Sequence, residues 1–210
     1  MNFKEAVKCY RCLLCKRHLE ELDDVKKAYI CYAATRSKAA LHKLAEVCVV
    51  GGHRHRIPFK YKNPAISIIE VHILSILSTP FKDFEDLFNT VNNLIGNLNN
   101  IGPLTVYDTS LRIGHLFDKP IYPRKILYLN NGAMEGARKL LGGRKLSSKE
   151  VLSTFFSYPE ALAVAGITSL RALPNNLIED FFCVMKDYLA SGPRGLISDR
   201  DKTLTYIQMK

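Results

Sequence analysis

Four metal-binding side chains stand three residues apart near the N-terminus, Cys9, Cys12, Cys15 and His18 in "CYRCLLCKRH". Thiolates and an imidazole are ligands for zinc. On a continuous helix, however, each step of three falls back by about 60°, so four such ligands cannot converge on one tetrahedral ion. The spacing therefore predicts a partly buried cysteine stripe, and no metal is expected. Glu70 is the sole carboxylate of the apolar run "AISIIEVHILSIL", with His72 two residues on. A carboxyl in such surroundings is a candidate general acid or base. The alternative is a hydrogen-bonded structural group on a polar stripe with Ser67, Ser75 and Ser78. Asp108 lies four residues before Arg112, so it is either a reactive carboxylate or half of an i,i+4 ion pair. Glu135 raises the same question beside Arg138 and Lys139. Glu179 and Asp180 read as first-turn acids favoured by a helix dipole, with a role in a cleft as the alternative.

A different kind of chemistry is written in "NNIGPLTVYDTSLRIG", residues 99–114, where Gly102 and Pro103 interrupt a helical pattern. A helix that begins after a short turn presents several unpaired backbone N–H groups, and these can hold a phosphate oxygen. Asn99 and Asn100 tolerate unusual turn conformations, Gly102 lets a ligand approach the backbone, and Pro103 suits the first helical position. Such a turn would grip one strand's backbone without reading sequence.

The longer segment "LNNIGPLTVYDTSLRIG" resembles the helix-hairpin-helix element of the base-excision DNA glycosylase superfamily, which includes endonuclease III and the alkylpurine glycosylases. In that family the turn runs leucine, proline, glycine, a hydrophobic residue, glycine, two variable residues, then threonine or alanine. Leu98, Ile101, Gly102 and Thr105 match, and Asn100 stands where the first glycine would be, asparagine being the next best residue for a left-handed turn. Downstream, "ILYLNNGAMEGARKLLG" has the shape of the family's extended segment leading into a helix with a basic C-terminal half. Its register puts Asn130 where the family has a catalytic aspartate. The position of the lysine nucleophile in lyase-type members is Leu104. The similarity covers roughly residues 80–142. It implies a monofunctional enzyme that flips a modified or damaged base out of duplex DNA and cleaves its N-glycosidic bond with water, without a cofactor. The resemblance makes Asn130 the catalytic position, with Asp108 or Glu70 to supply the missing negative charge, and Asn100, Ile101, Gly102, Leu104 and Thr105 the DNA-binding turn.

Charge points to the same partner. The 210 residues hold 30 Lys and Arg against 20 Asp and Glu, a net charge of +10. Residues 1–62 carry fourteen basic and six acidic side chains, 119–149 carry eight and one, and 63–118 carry two and six. Two basic segments around a less basic middle form an electrostatic footprint for a polyanion, with Arg54, Arg56, Arg124, Lys125, Arg138 and Lys139 as expected phosphate contacts. Two alternatives stay open: a DNA-binding module with a degenerate, non-catalytic site, and an all-α interaction domain whose basic surface serves solubility or an acidic partner.

These residues need helices to position them. Helical periodicity dominates, and no alternating strand pattern stands out. Residues 3–22 and 23–50 read as two long helices joined near "LDD", the second stopping at Gly51 and Gly52. "HRHRIPFKYKN" reads as a basic loop, and Asn63 as the cap of a helix starting at Pro64 that is apolar around most of its circumference and hence central. Helices follow over "FKDFEDLFNTVNNLIGNL", from Leu104 to about Phe117, and, after the proline-punctuated loop at 118–129, near 130–141, 147–157, 158–165 and 175–190. The expectation is an all-α protein forming one compact unit, with an N-terminal helical pair and basic loop at 1–62, a hairpin-bearing domain at 63–195 and a tail at 196–210. With 47% apolar residues, no apolar run of membrane-spanning length and a charged N-terminus, the reading is a cytoplasmic monomer with reduced cysteines.

Overall fold

A computed structural model describes residues 3–51, 59–187 and 189, leaving aside the side chains of residues 13, 14, 17 and 59–62. The protein is all-α, with 69% helix and 3% strand. In chain order the elements are α1 (Phe3–Cys9), a π-helical turn (Tyr10–Leu14), α2 (Cys15–Thr35), α3 (Lys38–Val50), α4 (Phe59–Ser78), α5 (Phe84–Ile95) and α6 (Pro103–His115). There follow β1 (Ile126–Tyr128), α7 (Asn131–Leu140), β2 (Lys149–Val151), α8 (Leu152–Phe155), α9 (Pro159–Leu162), α10 (Ile167–Arg171) and α11 (Asn175–Met185). The chain forms two compact units, Met1–His18 with Arg124–Lys210, and Leu19–Pro123. The boundaries drawn from the sequence fell instead at 62/63 and 195/196.

In the unit made from both chain ends, α1 packs against the C-terminal helices through aromatic edges. Phe181 meets Phe3 at 5.7 Å and Tyr10 at 5.5 Å between ring centroids, and Phe182 meets Phe155 at 5.6 Å. Helices α7 and α11 cross closely enough to need a glycine: a Cβ on Gly136 would stand 2.2 Å from the Phe182 carbonyl oxygen. The loop expected at 118–129 contains β1, which pairs antiparallel with β2 in the register Ile126↔Val151, Leu127↔Glu150, Tyr128↔Lys149. Three residues are too short for alternation to show in sequence. The helix expected over 147–157 is accordingly shorter, reduced to α8.

The middle unit holds α3 to α6 and most of α2. The first break falls at Arg36 and Ser37 rather than at "LDD". Leu22 and Val25 are buried on one uninterrupted helix, whereas Arg36 adopts φ +51° and the Ser37 hydroxyl accepts the Ala40 N–H at 3.2 Å to begin α3. Helix α4 starts at Phe59, before Pro64, which sits inside it. It is not central either. Ala65, Ile66, Ile69, Ile73 and Ile76 are buried, while Val71 is 76% exposed and Leu74 is exposed too. Apolar residues lie all round this helix, but only the stripe with helical spacing meets neighbours.

Candidate nucleic-acid interface

Helices α5 and α6 form a hairpin clamped away from its tip by Phe84 against Tyr107, 5.8 Å between centroids. Asp83 caps α5 by accepting the Asp86 N–H at 3.1 Å, so the acids Asp83, Glu85 and Asp86 gather at the start of α5. In the turn, the Leu98 N–H donates to Ile95 and the Ile101 N–H to Leu98, both at 3.1 Å. Asn100 takes φ +62°, a left-handed conformation that asparagine tolerates better than other residues with a Cβ. Ile101 is buried and anchors the turn.

Gly102 is the N-cap of α6 and Pro103 occupies the first turn. The first helical bond runs from the Val106 N–H to the Gly102 carbonyl at 3.2 Å. No side chain caps the helix, so nothing of this kind covers the N–H groups of Leu104 and Thr105. Gly102 has φ −91°, open to any residue, and a Cβ built there meets nothing within 4 Å. The fold of this unit therefore does not require glycine at 102.

Two carboxylates singled out in the sequence are held in pairs within this unit. Asp108 lies 3.7 Å from Arg112, whose side chain is 5% exposed and whose guanidinium donates to the Cys48 carbonyl at 3.1 Å and reaches Glu21 at 3.5 Å. Arg112 thus closes the C-terminal end of α3, where Gly51 at φ +46° leaves it room; a Cβ there would fall 2.3 Å from the guanidinium carbon. Beneath it, burial pushes the Cys48 thiol up to about 12 against the pull of Arg112. Glu70 lies within hydrogen-bond distance of His42 Nδ1 at 2.6 Å, bridging α3 and α4, while His72 is exposed. Helical spacing carries no signal for which distant acid or base His42 and Glu21 meet.

In the other unit, Asn130 is the N-cap of α7 with φ −109° and ψ 141°. Its side chain makes no capping hydrogen bond. At the basic end of α7, Arg138 is exposed, whereas Lys139 pairs with Glu135 at 2.9 Å and donates to the Lys186 carbonyl at 3.0 Å. Lys186 also holds Glu135 at 3.0 Å, and hydrogen bonds from Lys139 and Lys186 keep the Glu135 carboxyl below its ordinary range. Lys139 is thereby tied within the unit rather than projecting alone. Arg124 and Lys125 are exposed; Arg54 and Arg56, with His53 and His55, lie outside the described residues. Asp180, read as a first-turn acid, accepts from the Tyr10 hydroxyl at 2.7 Å, and Glu179 is buried.

Cys9 and Cys15 are raised above the ordinary thiol range by burial, while Cys12 is exposed, which fits a partly buried stripe. Among the described residues no group of three or more His, Cys, Asp and Glu side chains could hold a metal ion, and no helix is long and apolar enough to cross a membrane. A cleft of about 590 Å³ opens between α2 and α3, floored by Val47, Val50 and Ala28, with the ion pairs Lys27–Asp24 and Lys43–Glu46 among its lining residues. Compared with known protein families, curated proteins and solved structures, the chain matches none.

Proposed function

We propose that the chain binds duplex DNA through the α5–α6 hairpin and acts as a glycosylase-like hydrolase on a flipped, modified or damaged base. The observation that carries this reading is the combination at the hairpin tip: left-handed Asn100, buried Ile101, and an uncapped helix start at a glycine the fold leaves unfilled. Backbone N–H groups there suit a phosphate oxygen. Cleavage of an N-glycosidic bond passes through a cationic sugar, which a carboxylate normally stabilises. Asn130 is neutral, and its amide is not spent on capping α7. It can therefore orient the attacking water for a base that is itself a good leaving group.

A second reading draws on the pairing of Asp108 with Arg112 and of Glu70 with His42. With both substitute carboxylates engaged, the chain would be a non-enzymatic module that binds structured or modified DNA. The two readings part in one experiment. Duplexes carrying uracil, alkylated purines, oxidised bases and hydroxymethylated or glucosylated cytosines are incubated with the protein and treated with alkali. A break at one modified base that disappears in Asn130→Ala supports the enzyme. Binding without a break on every substrate supports the module, and no binding to any duplex at low salt overturns both.

A further inference from the structure

Between residues 84 and 111 the hairpin contains no lysine or arginine, in a chain of net charge +10. Its acids do not crowd the tip. Asp83, Glu85 and Asp86 sit at the start of α5, about 17 Å along its axis from the turn at the rise of an α-helix, and Asp108 is paired with Arg112. What the tip exposes is amides: the side chains of Asn93, Asn97, Asn99 and Asn100 are exposed, and none is hydrogen-bonded among the described residues. Backbone geometry accounts for one of them, since Asn100 has positive φ while Asn97 and Asn99 do not. Turn conformation gives no reason for Asn97 or Asn99.

A primary amide both donates and accepts, so its natural partners do the same. The sugar and base edges of a duplex fit that description, whereas a lone phosphate is better served by a cation. We infer that the amides of Asn97, Asn99 and Asn100 form a neutral recognition patch for duplex DNA. They contact sugar and base-edge atoms beside the phosphate held at the start of α6, and this part of the binding is insensitive to salt. The inference rests on the DNA-binding reading above and adds how the hairpin divides the work with the basic segments. Counterion release belongs to Arg and Lys contacts; neutral hydrogen bonds release none.

The test uses the full chain carrying Asn97→Ala, Asn99→Ala and Asn100→Gly together, glycine being chosen at 100 because it keeps the left-handed turn. Affinity for a short duplex is measured across about 50 to 200 mM salt, with urea unfolding as a check on the fold. The expected result is a loss of about tenfold or more at every salt concentration, with an unchanged slope of log affinity against log salt. Arg138→Ala serves as the contrast and should lower the slope by about one if it meets a phosphate. Wild-type binding that the triple variant retains in full would overturn the inference while leaving the DNA-binding reading standing. So would a loss that grows or vanishes with salt. A wild-type chain that binds no duplex at low salt overturns the DNA-binding reading itself, and the patch with it.

Discussion

Replacing Arg112 by methionine keeps the length and apolar stem of the side chain and removes only the guanidinium. The Arg112 side chain is 5% exposed, and its guanidinium makes one hydrogen bond to the Cys48 carbonyl and ionic contacts with Glu21 and Asp108, whose side chains are 19% and 18% exposed. Its loss leaves the end of α3 with an unanswered carbonyl and takes away the cation that Glu21 and Asp108 share. Breaking a buried pair from one side costs about 3–5 kcal/mol, and the residual exposure of the two acids argues for the lower end, about 3 kcal/mol. Urea unfolding of wild type, Arg112→Met, Asp108→Asn and the double variant provides the measurement. In the Arg112→Met background, Asp108→Asn should cost less than in wild type, or restore stability, with a coupling energy of about 0.5–3 kcal/mol. A loss below about 1 kcal/mol for Arg112→Met, or strict additivity, would refute the view that Asp108 is held chiefly as a structural counter-charge.

Gly136→Ala should cost about 1–3 kcal/mol in the same assay, because the new Cβ meets the Phe182 backbone and not a movable side chain. Thiol labelling of the native protein should modify Cys12 and Cys31, which are exposed, and reach Cys48 only on unfolding, because burial holds that thiol up to about 12. Glu135 is depressed by its hydrogen bonds to Lys139 and Lys186, so its contribution to stability is present above the ordinary carboxyl value of 4.5 and is lost as pH falls toward the depressed one. Glu135→Gln should therefore flatten the fall in stability below that pH, and an unchanged acid profile would contradict the pairing.

The hairpin was legible because its signals are local. An apolar 3.6-residue period, Asn100 at the turn and Pro103 after Gly102 each act within a few residues of where they sit. The break at Arg36 and Ser37 was equally local but hidden, since "TRSKAA" offers one serine cap while "LDD" offers two acids that are as content in mid-helix. Helix α4 misled for a non-local reason: its apolar residues exceed the stripe that packs, and nothing in its own sequence says which face stays exposed. Its early start overrides the propensity of Pro64 to begin a helix. Candidate roles for Asp108 and Glu70 depended on partners far away in the chain, Glu21 and the Cys48 carbonyl for one cluster and His42 for the other. Such pairings arise from packing and leave no spacing to read. The joining of α1 to the C-terminal helices is of the same kind, set by Phe3 and Tyr10 meeting Phe181 across most of the sequence.

The most direct test of hairpin-mediated DNA binding is a comparison of Gly102→Asp with Gly102→Ala and wild type, reading stability and duplex affinity side by side. Position 102 is the N-cap of α6, with negative φ and open space around its Cβ, so neither replacement strains the fold. Aspartate is a preferred N-cap and should raise stability by a few tenths of a kcal/mol, because its carboxylate takes the N–H groups at the start of the helix. Those are the groups proposed to hold the phosphate. Gly102→Asp should therefore be at least as stable as wild type and lose duplex affinity by an order of magnitude or more, with Gly102→Ala much closer to wild type. A folded Gly102→Asp protein that binds duplex DNA as tightly as wild type would contradict it.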